Sequence, residues 1–275
     1  MTYKVAMADI QKLRKSTGAG MMDCKKALQE AEGNFEKAKD IIREKGQAIA
    51  NKRADREAKE GIIVTETNNQ YGYILALNCE TDFVAKTDKF IQLAKTIMNA
   101  AIQTEASSVD EVRNAKVNDI TVSEMINEQI GVIGEKIDIP FYQKVEAPYI
   151  NAYIHNGNKL AALVMFNKKP ENEQLAHDIA MQVAAMNPIA VDKDDIPQDI
   201  IEKEKEIAKE QARNENRPEN LLEKIAMGKL NKFYQEVTLL NQQFIREHKM
   251  TVKDYIKQND PDLQVVKFVR YSLSD

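Results

Sequence analysis

Tryptophan is absent, cysteine occurs twice, and aromatic residues make up only 6% of the 275-residue chain. Few aromatics beside plentiful Lys, Glu, Gln and Ala favour a helix-rich protein. Cys24 and Cys79 lie far apart and show no metal-ligand spacing, which leaves two free thiols and fits a reducing compartment. No apolar run approaches the length of a membrane span, and the opening MTYKVAMADIQKL lacks the apolar core of a signal peptide. The expectation is a soluble, cytoplasmic protein with no membrane contact. There is no Walker loop and no dinucleotide-binding glycine pattern; Gly18-Ala19-Gly20 is too short and follows no strand. His155, His177 and His248 are widely separated and form no ligand set of the H-E-x-x-H kind. Neither cysteine carries the signature of a nucleophile. The residues thus make no case for an enzyme, a metal or a cofactor.

The net charge of -4 gives no global reason to expect nucleic acid as a partner. The charge is uneven, however: residues 1–60 hold 14 Lys and Arg against 10 Asp and Glu, and residues 61–275 hold 25 against 33. A mildly basic head on an acidic body fits contact with an acidic partner, and ordinary surface variation accounts for it equally well.

What is present reads as an α+β chain. Ile10 and Leu13 open a first helix that Gly18-Ala19-Gly20 interrupts; a second runs over about 21–31, with Met22, Ala27, Leu28 and Ala31 on its apolar face. Asn34 caps a third helix from Phe35 to Glu44, which Gly46 ends. Three helices in under 50 residues make a bundle with a thin core, suited to docking. Residues 47–60 carry almost no large apolar side chain and read as a partly helical linker. The period then switches to two: a strand over 61–67, a turn at Asn68-Asn69-Gln70, and a strand over 71–79. Helices follow over 88–102 and 122–130. A strand over 137–146 and a hairpin of 149–155 with 159–166 come next; the signal for the hairpin is Asn156-Gly157. A helix over 171–186 closes this unit. NNQYGYILALN and HNGNKLAALVMFN suggest that a hairpin backed by a helix occurs twice. Two helices between Asp194 and Val237, the first thinly apolar and densely charged, are separated by Asn214–Pro218 and form an antiparallel hairpin; a helix over 251–258 and a strand over 263–271 complete the chain. The division is a three-helix domain at 1–46, a linker at 47–60, a core unit at 61–140, a second at 141–188 and 231–275, and the inserted helical hairpin at 189–230.

Residues 80–87, ETDFVAKT, follow the apolar strand YILALNC and precede an amphipathic helix. Phe83 in this connection has two readings: a packing residue that anchors the loop, or a wedge that fills an apolar slot of another protein while Asp82 competes for polar ligands.

TGAGMMDCKKAL (17–28) and NCETDFVAK (78–86) resemble the two signatures of the elongation factor Ts family, and YIHNGNKLAALV, HDIAMQVAAMNP and GKLNKFYQEVTLLNQQF extend the likeness over nearly the whole chain. The resemblance implies a ubiquitin-associated-like N-terminal domain, two related α+β subdomains with a coiled-coil insertion, and nucleotide exchange on the GTPase elongation factor Tu, with no bond chemistry. It implies that Thr81, Asp82, Phe83 and Val84 enter the GTPase domain and displace the nucleotide-bound magnesium. Met21 and Met22 would give a second contact with that domain, one of the pair being free to pack in the core. His155 would face the partner's far domain. Longer relatives continue into a C-terminal helical module, so that contact would be absent or supplied otherwise. The insertion differs between relatives in its use for dimerisation, and a thin apolar face (Ile200, Ile201, Ile207) leaves self-association open. Two other classes stand beside the exchange factor: an adaptor that binds through its first 50 residues alone, and an RNA-binding factor, against which the acidic body argues.

Overall fold

A computed structural model describes residues 3–68 and 70–274. The N-terminal bundle is α1 (Met7–Thr17), α2 (Met21–Glu30) and α3 (Phe35–Arg53). Gly18, at φ 71°, closes α1 in the left-handed conformation that glycine adopts without strain. Asn34 caps α3 as expected, its side chain accepting from the Lys37 amide at 3.0 Å. The bundle core is thin, made of Ile10, Leu13, Cys24, Ala27, Leu28 and Ala38 with few larger neighbours.

Gly46 does not end α3. The helix continues to Arg53, so residues 47–53, expected in a linker, are helical, and Ile49 and Ala50 pack on the core of the body. Gly46 is buried where α3 crosses α7 (Val122–Ile133). A Cβ on Gly46 would lie 2.8 Å from the Asn127 carbonyl oxygen, and one on Gly131 would lie 2.7 Å from the Gly46 Cα. Two glycines therefore allow backbone-to-backbone contact at the crossing. Polar pairs flank it: Arg43 to Glu128 at 2.6 Å, and the Asn127 amide donating to Gln47 at 2.6 Å.

The body is two three-stranded antiparallel sheets packed face to face with helices outside. β1 (Glu60–Asn68), β2 (Tyr71–Cys79) and β5 (Ile137–Glu146) form the first, in the order β1-β2-β5. β6 (Tyr149–Ile154), β7 (Leu160–Phe166) and β10 (Val265–Ser272) form the second, in the order β10-β7-β6. Side chains alternate along a strand, and both central strands are buried on both faces. Tyr73, Leu75, Leu77 and Cys79 of β2 meet α5 (Asp88–Gln103) and α7, while Ile74 and Ala76 face the other sheet. In β7, Ala162, Val164 and Phe166 meet α8 (Glu173–Met186) and α11 (Val252–Asn259), while Ala161, Leu163 and Met165 face inward. Phe141 and Tyr271 stack across the sheets at 4.2 Å. Of the turn expected at Asn68-Asn69-Gln70, Asn69 lies outside the described residues.

The repeat extends further than the two hairpins. Each half continues with a short two-stranded ladder, β3 (Lys116–Val117) with β4 (Ile120–Thr121) and β8 (Gln243–Phe244) with β9 (Glu247–Thr251). Each ladder runs into a helix through a capping box, Thr121 with Glu124 and Thr251 with Asp254. Where the first half has α6 (Val109–Asn114), the second carries α9 (Gln198–Asn214) and α10 (Glu219–Val237). These two form the expected antiparallel hairpin, closed along Ala208, Ala212, Leu222, Ala226 and Leu230, with Lys209 bridging to Glu223 at 2.8 Å.

Two glycines predict opposite outcomes. Gly46→Ala should cost about 1–3 kcal/mol by overpacking the crossing. Gly228→Ala, in exposed α10 with nothing within 4 Å of an added Cβ, should gain up to about 1 kcal/mol. Urea unfolding of both variants reads the two signs.

Candidate functional site

The segment that follows β2 is built to hold still. Residues 82–85 form a single helical turn, α4 (Asp82–Ala85), capped by Thr81, whose hydroxyl accepts from the Val84 amide at 3.5 Å. Thr87 ends the turn by donating to the Val84 carbonyl at 2.8 Å and starts α5 by accepting from the Phe90 amide at 3.3 Å. Glu135, in the connection between α7 and β5, accepts both from the Thr81 amide, at 3.0 Å, and from its hydroxyl, at 2.7 Å. Glu80 accepts from Arg53 at the end of α3 and from the Lys136 amide, both at 2.7 Å. Burial works to raise the Glu80 carboxyl, but the Lys136 amide and the Arg53 and Arg56 guanidiniums outweigh it and hold it below its ordinary value of 4.5.

The turn has an inside and an outside. Ala85 is buried and Val84 packs partly on the first core. Phe83 points away and is 80% exposed, so the packing reading does not hold. Beside it Asp82 pairs with Lys86 at 2.6 Å, and that hydrogen bond holds its carboxyl below the usual carboxylate range. Cys79, just before the loop, is unfit as a nucleophile: burial pushes its thiol up to about 12, and it donates to the Thr81 carbonyl.

Met21 and Met22 both stand outside, 46% and 60% exposed, at the first turn of α2. Met22 was expected on the apolar face; Cys24, Ala27 and Leu28 fill that face instead. His155 is exposed at the β6–β7 connection and pairs through Nδ1 with the Tyr153 hydroxyl at 2.9 Å. The connection is a four-residue turn: the Asn158 amide donates to the His155 carbonyl, with positive φ at Gly157 and Asn158 rather than at an Asn156-Gly157 pair. Its base is tied to β1, by the Ile63 amide to the Asn158 carbonyl at 2.7 Å and by Lys159 to Glu60 at 2.6 Å. Glu60 stands opposite Cys79 in the β1–β2 ladder, so the Lys159–Glu60 pair sets the base of the hairpin beside the start of the loop. The expected contact residues thus stand on three modules: Met21 and Met22 on the bundle, Thr81 to Val84 on the first unit and His155 on the second. The bracing glutamates escaped sequence reading because Thr81 and Glu135 are 54 residues apart.

No group of three or more His, Cys, Asp or Glu among the described residues could hold a metal ion, and no helix among them is long and apolar enough to cross a membrane. An exposed phenylalanine on a fixed turn and two exposed methionines on a separate bundle are apolar surface of the kind that a partner macromolecule covers. The family described as "Elongation factor TS" matches residues 80–275. Over 98% of the chain, curated proteins named "Elongation factor Ts" are 48% identical in Christiangramia forsetii, 46% in Porphyromonas gingivalis and 44% in Azobacteroides pseudotrichonymphae, with 98–99% of each relative covered. The chain belongs to the elongation factor Ts family.

The depressed Glu80 carboxyl sets a pH dependence. A carboxyl whose folded-state value lies below its unfolded one contributes stability above the unfolded value and loses it as pH falls through the folded one. The difference in unfolding free energy between the native chain and Glu80→Gln should be constant near neutrality and shrink below pH 4.5. Urea titrations over about pH 3–7 check this.

Proposed function

We propose that this chain binds elongation factor Tu carrying GDP and speeds GDP release by inserting the Thr81–Val84 loop into the GTPase domain, where it displaces the nucleotide-bound magnesium. The coarser part, nucleotide exchange on elongation factor Tu during translation elongation, comes with family membership. The single observation that supports the finer part is the bare Phe83 ring on a turn capped at both ends. Left in water, the ring forgoes about 2 kcal/mol that burial would give; a slot on a partner recovers it. Asp82 pairs with the exposed Lys86 in a solvent-facing salt bridge, so its carboxylate can exchange that partner for polar groups of the GTPase at little cost. Magnesium neutralises phosphate charge, and losing it weakens the grip on the nucleotide. Factor and GDP then oppose each other on the GTPase by equal factors, as linkage requires. No bond is made or broken.

Met21 and Met22 supply the second contact in this reading: adaptable apolar side chains on a module with a net basic charge. His155 supplies a third, toward another domain of the partner. The domain boundaries read from the sequence belong to the same proposal.

Two experiments separate these roles. In stopped-flow release of labelled GDP at saturating factor, Phe83→Ala should lower the rate about 30-fold, the size of a central hot-spot truncation, and Asp82→Ala by a smaller factor. Native-like release by both variants rejects the loop. The double change Met21→Ala with Met22→Ala should raise the half-saturating concentration about tenfold and leave the saturating rate in place; a lowered saturating rate with unchanged half-saturation would contradict the docking role.

A further inference from the structure

The loop does not rest on its own hydrogen bonds alone. A helical turn of four residues is far below the length at which a helix holds itself together, and α4 has one weak cap bond at its start. What fixes it further is a reciprocal brace with the α7–β5 connection. The Glu80 carboxylate binds the backbone amide of Lys136, and the Glu135 carboxylate binds the backbone amide of Thr81. Each connection is thus held by a side chain of the other. Glu135 uses both oxygens on Thr81, one on the amide and one on the hydroxyl, and that hydroxyl oxygen is the atom that caps α4. The brace reaches the bundle too: Glu80 receives Arg53, the last residue of α3, and the Lys136 ammonium donates to the Ala54 and Arg56 carbonyls at 2.7 and 2.9 Å. Gly134, at φ 81°, closes α7 so that Glu135 can turn toward the loop.

We propose that Glu135 is a positioning residue for nucleotide release: together with Glu80 it fixes the α4 turn so that Phe83 is presented in its working direction before the partner arrives. The inference rests on the reading of Thr81–Val84 as the exchange loop. Glu135 touches neither nucleotide nor metal. Its effect lies in the ordering that the partner would otherwise have to impose at the moment of insertion. It therefore belongs to the rate at saturation rather than to affinity, because docking through the bundle and through His155 does not depend on how the turn is held.

The test is Glu135→Gln, which keeps the side-chain volume but leaves one acceptor oxygen for two donors and places an amide donor against one of them. At saturating factor, release of labelled GDP should slow about tenfold, the loss of one charge-assisted hydrogen bond. The half-saturating concentration should change by less than about twofold. In the free protein, hydrogen exchange at the Thr81 amide should accelerate by a similar factor while the bundle and the sheets keep their protection, a signature that general destabilisation would not produce. Phe83→Ala runs in parallel. If Phe83→Ala slows release and Glu135→Gln does not, the positioning role falls and the loop reading stands. A raised half-saturation with unchanged maximal rate would make Glu135 a contact residue and overturn the proposal. If Phe83→Ala itself releases GDP at the native rate, the loop reading fails and takes the positioning role with it. Should Glu135→Gln not fold, Glu135→Asp, which keeps the charge but shortens the reach to Thr81, is read with the same expectations and the same grounds for rejection.

Discussion

The two-sided burial of β2 sets where the loop begins and which way it leaves. Tyr73, Leu75, Leu77 and Cys79 are locked against the outer helices, and Ile74 and Ala76 against the second sheet. A one-residue slip would exchange the two sets, so the strand has a single register and ends at a fixed point. From there only Glu80, Thr81 and Asp82 separate the buried strand from the exposed Phe83. The same strand seats β1 and β5 on its edges, β1 carries the base of the His155 hairpin, and β5 follows the connection that bears Glu135. Displacing β2 would move every element that touches the loop.

The bundle is joined to this body by geometry rather than by area. Its own core is built largely from alanine and a few larger residues, too little for independent stability. The α3–α7 crossing compensates through close backbone approach at Gly46 and Gly131, bordered by the Arg43–Glu128 pair. Because α3 then runs on to Arg53, which pairs with Glu80 beside the loop, the bundle that carries the methionines and the turn that carries the phenylalanine belong to one braced frame. A partner touched at both places meets surfaces whose separation is set in advance, and little ordering is left to binding.

Much of this was legible in the residues. The apolar runs YILALNC and LAALVMF marked the central strands, Asn34 marked its cap, and the charged EKEKEIAKEQARNEN marked a projecting helix. The failures share one cause. A glycine reads locally as a helix breaker, but at Gly46 the deciding fact is a neighbour 85 residues away, the Cα of which no local pattern contains. Met22 has helical spacing with Ala27 and Leu28, yet the smaller Cys24 fits the tight core and leaves it outside. The ladders β3–β4 and β8–β9 are too short for a period to register. The parallel Thr-Val-Ser-Glu and Thr-Val-Lys-Asp starts of α7 and α11 were a readable sign of the longer repeat. For the candidate site, the motif singled out residues 80–87, but the outward direction of Phe83 and the hold of Glu135 on Thr81 arise only when distant connections meet.

A photoreactive phenylalanine analogue in place of Phe83 tests most directly whether this ring enters the GTPase. With elongation factor Tu present, the cross-link should form within the GTPase domain, beside the nucleotide site, and excess GDP with magnesium should suppress it in proportion to the antagonism that linkage demands. A cross-link confined to another domain, or one that GDP leaves unchanged, would contradict insertion of Phe83 as the cause of nucleotide release.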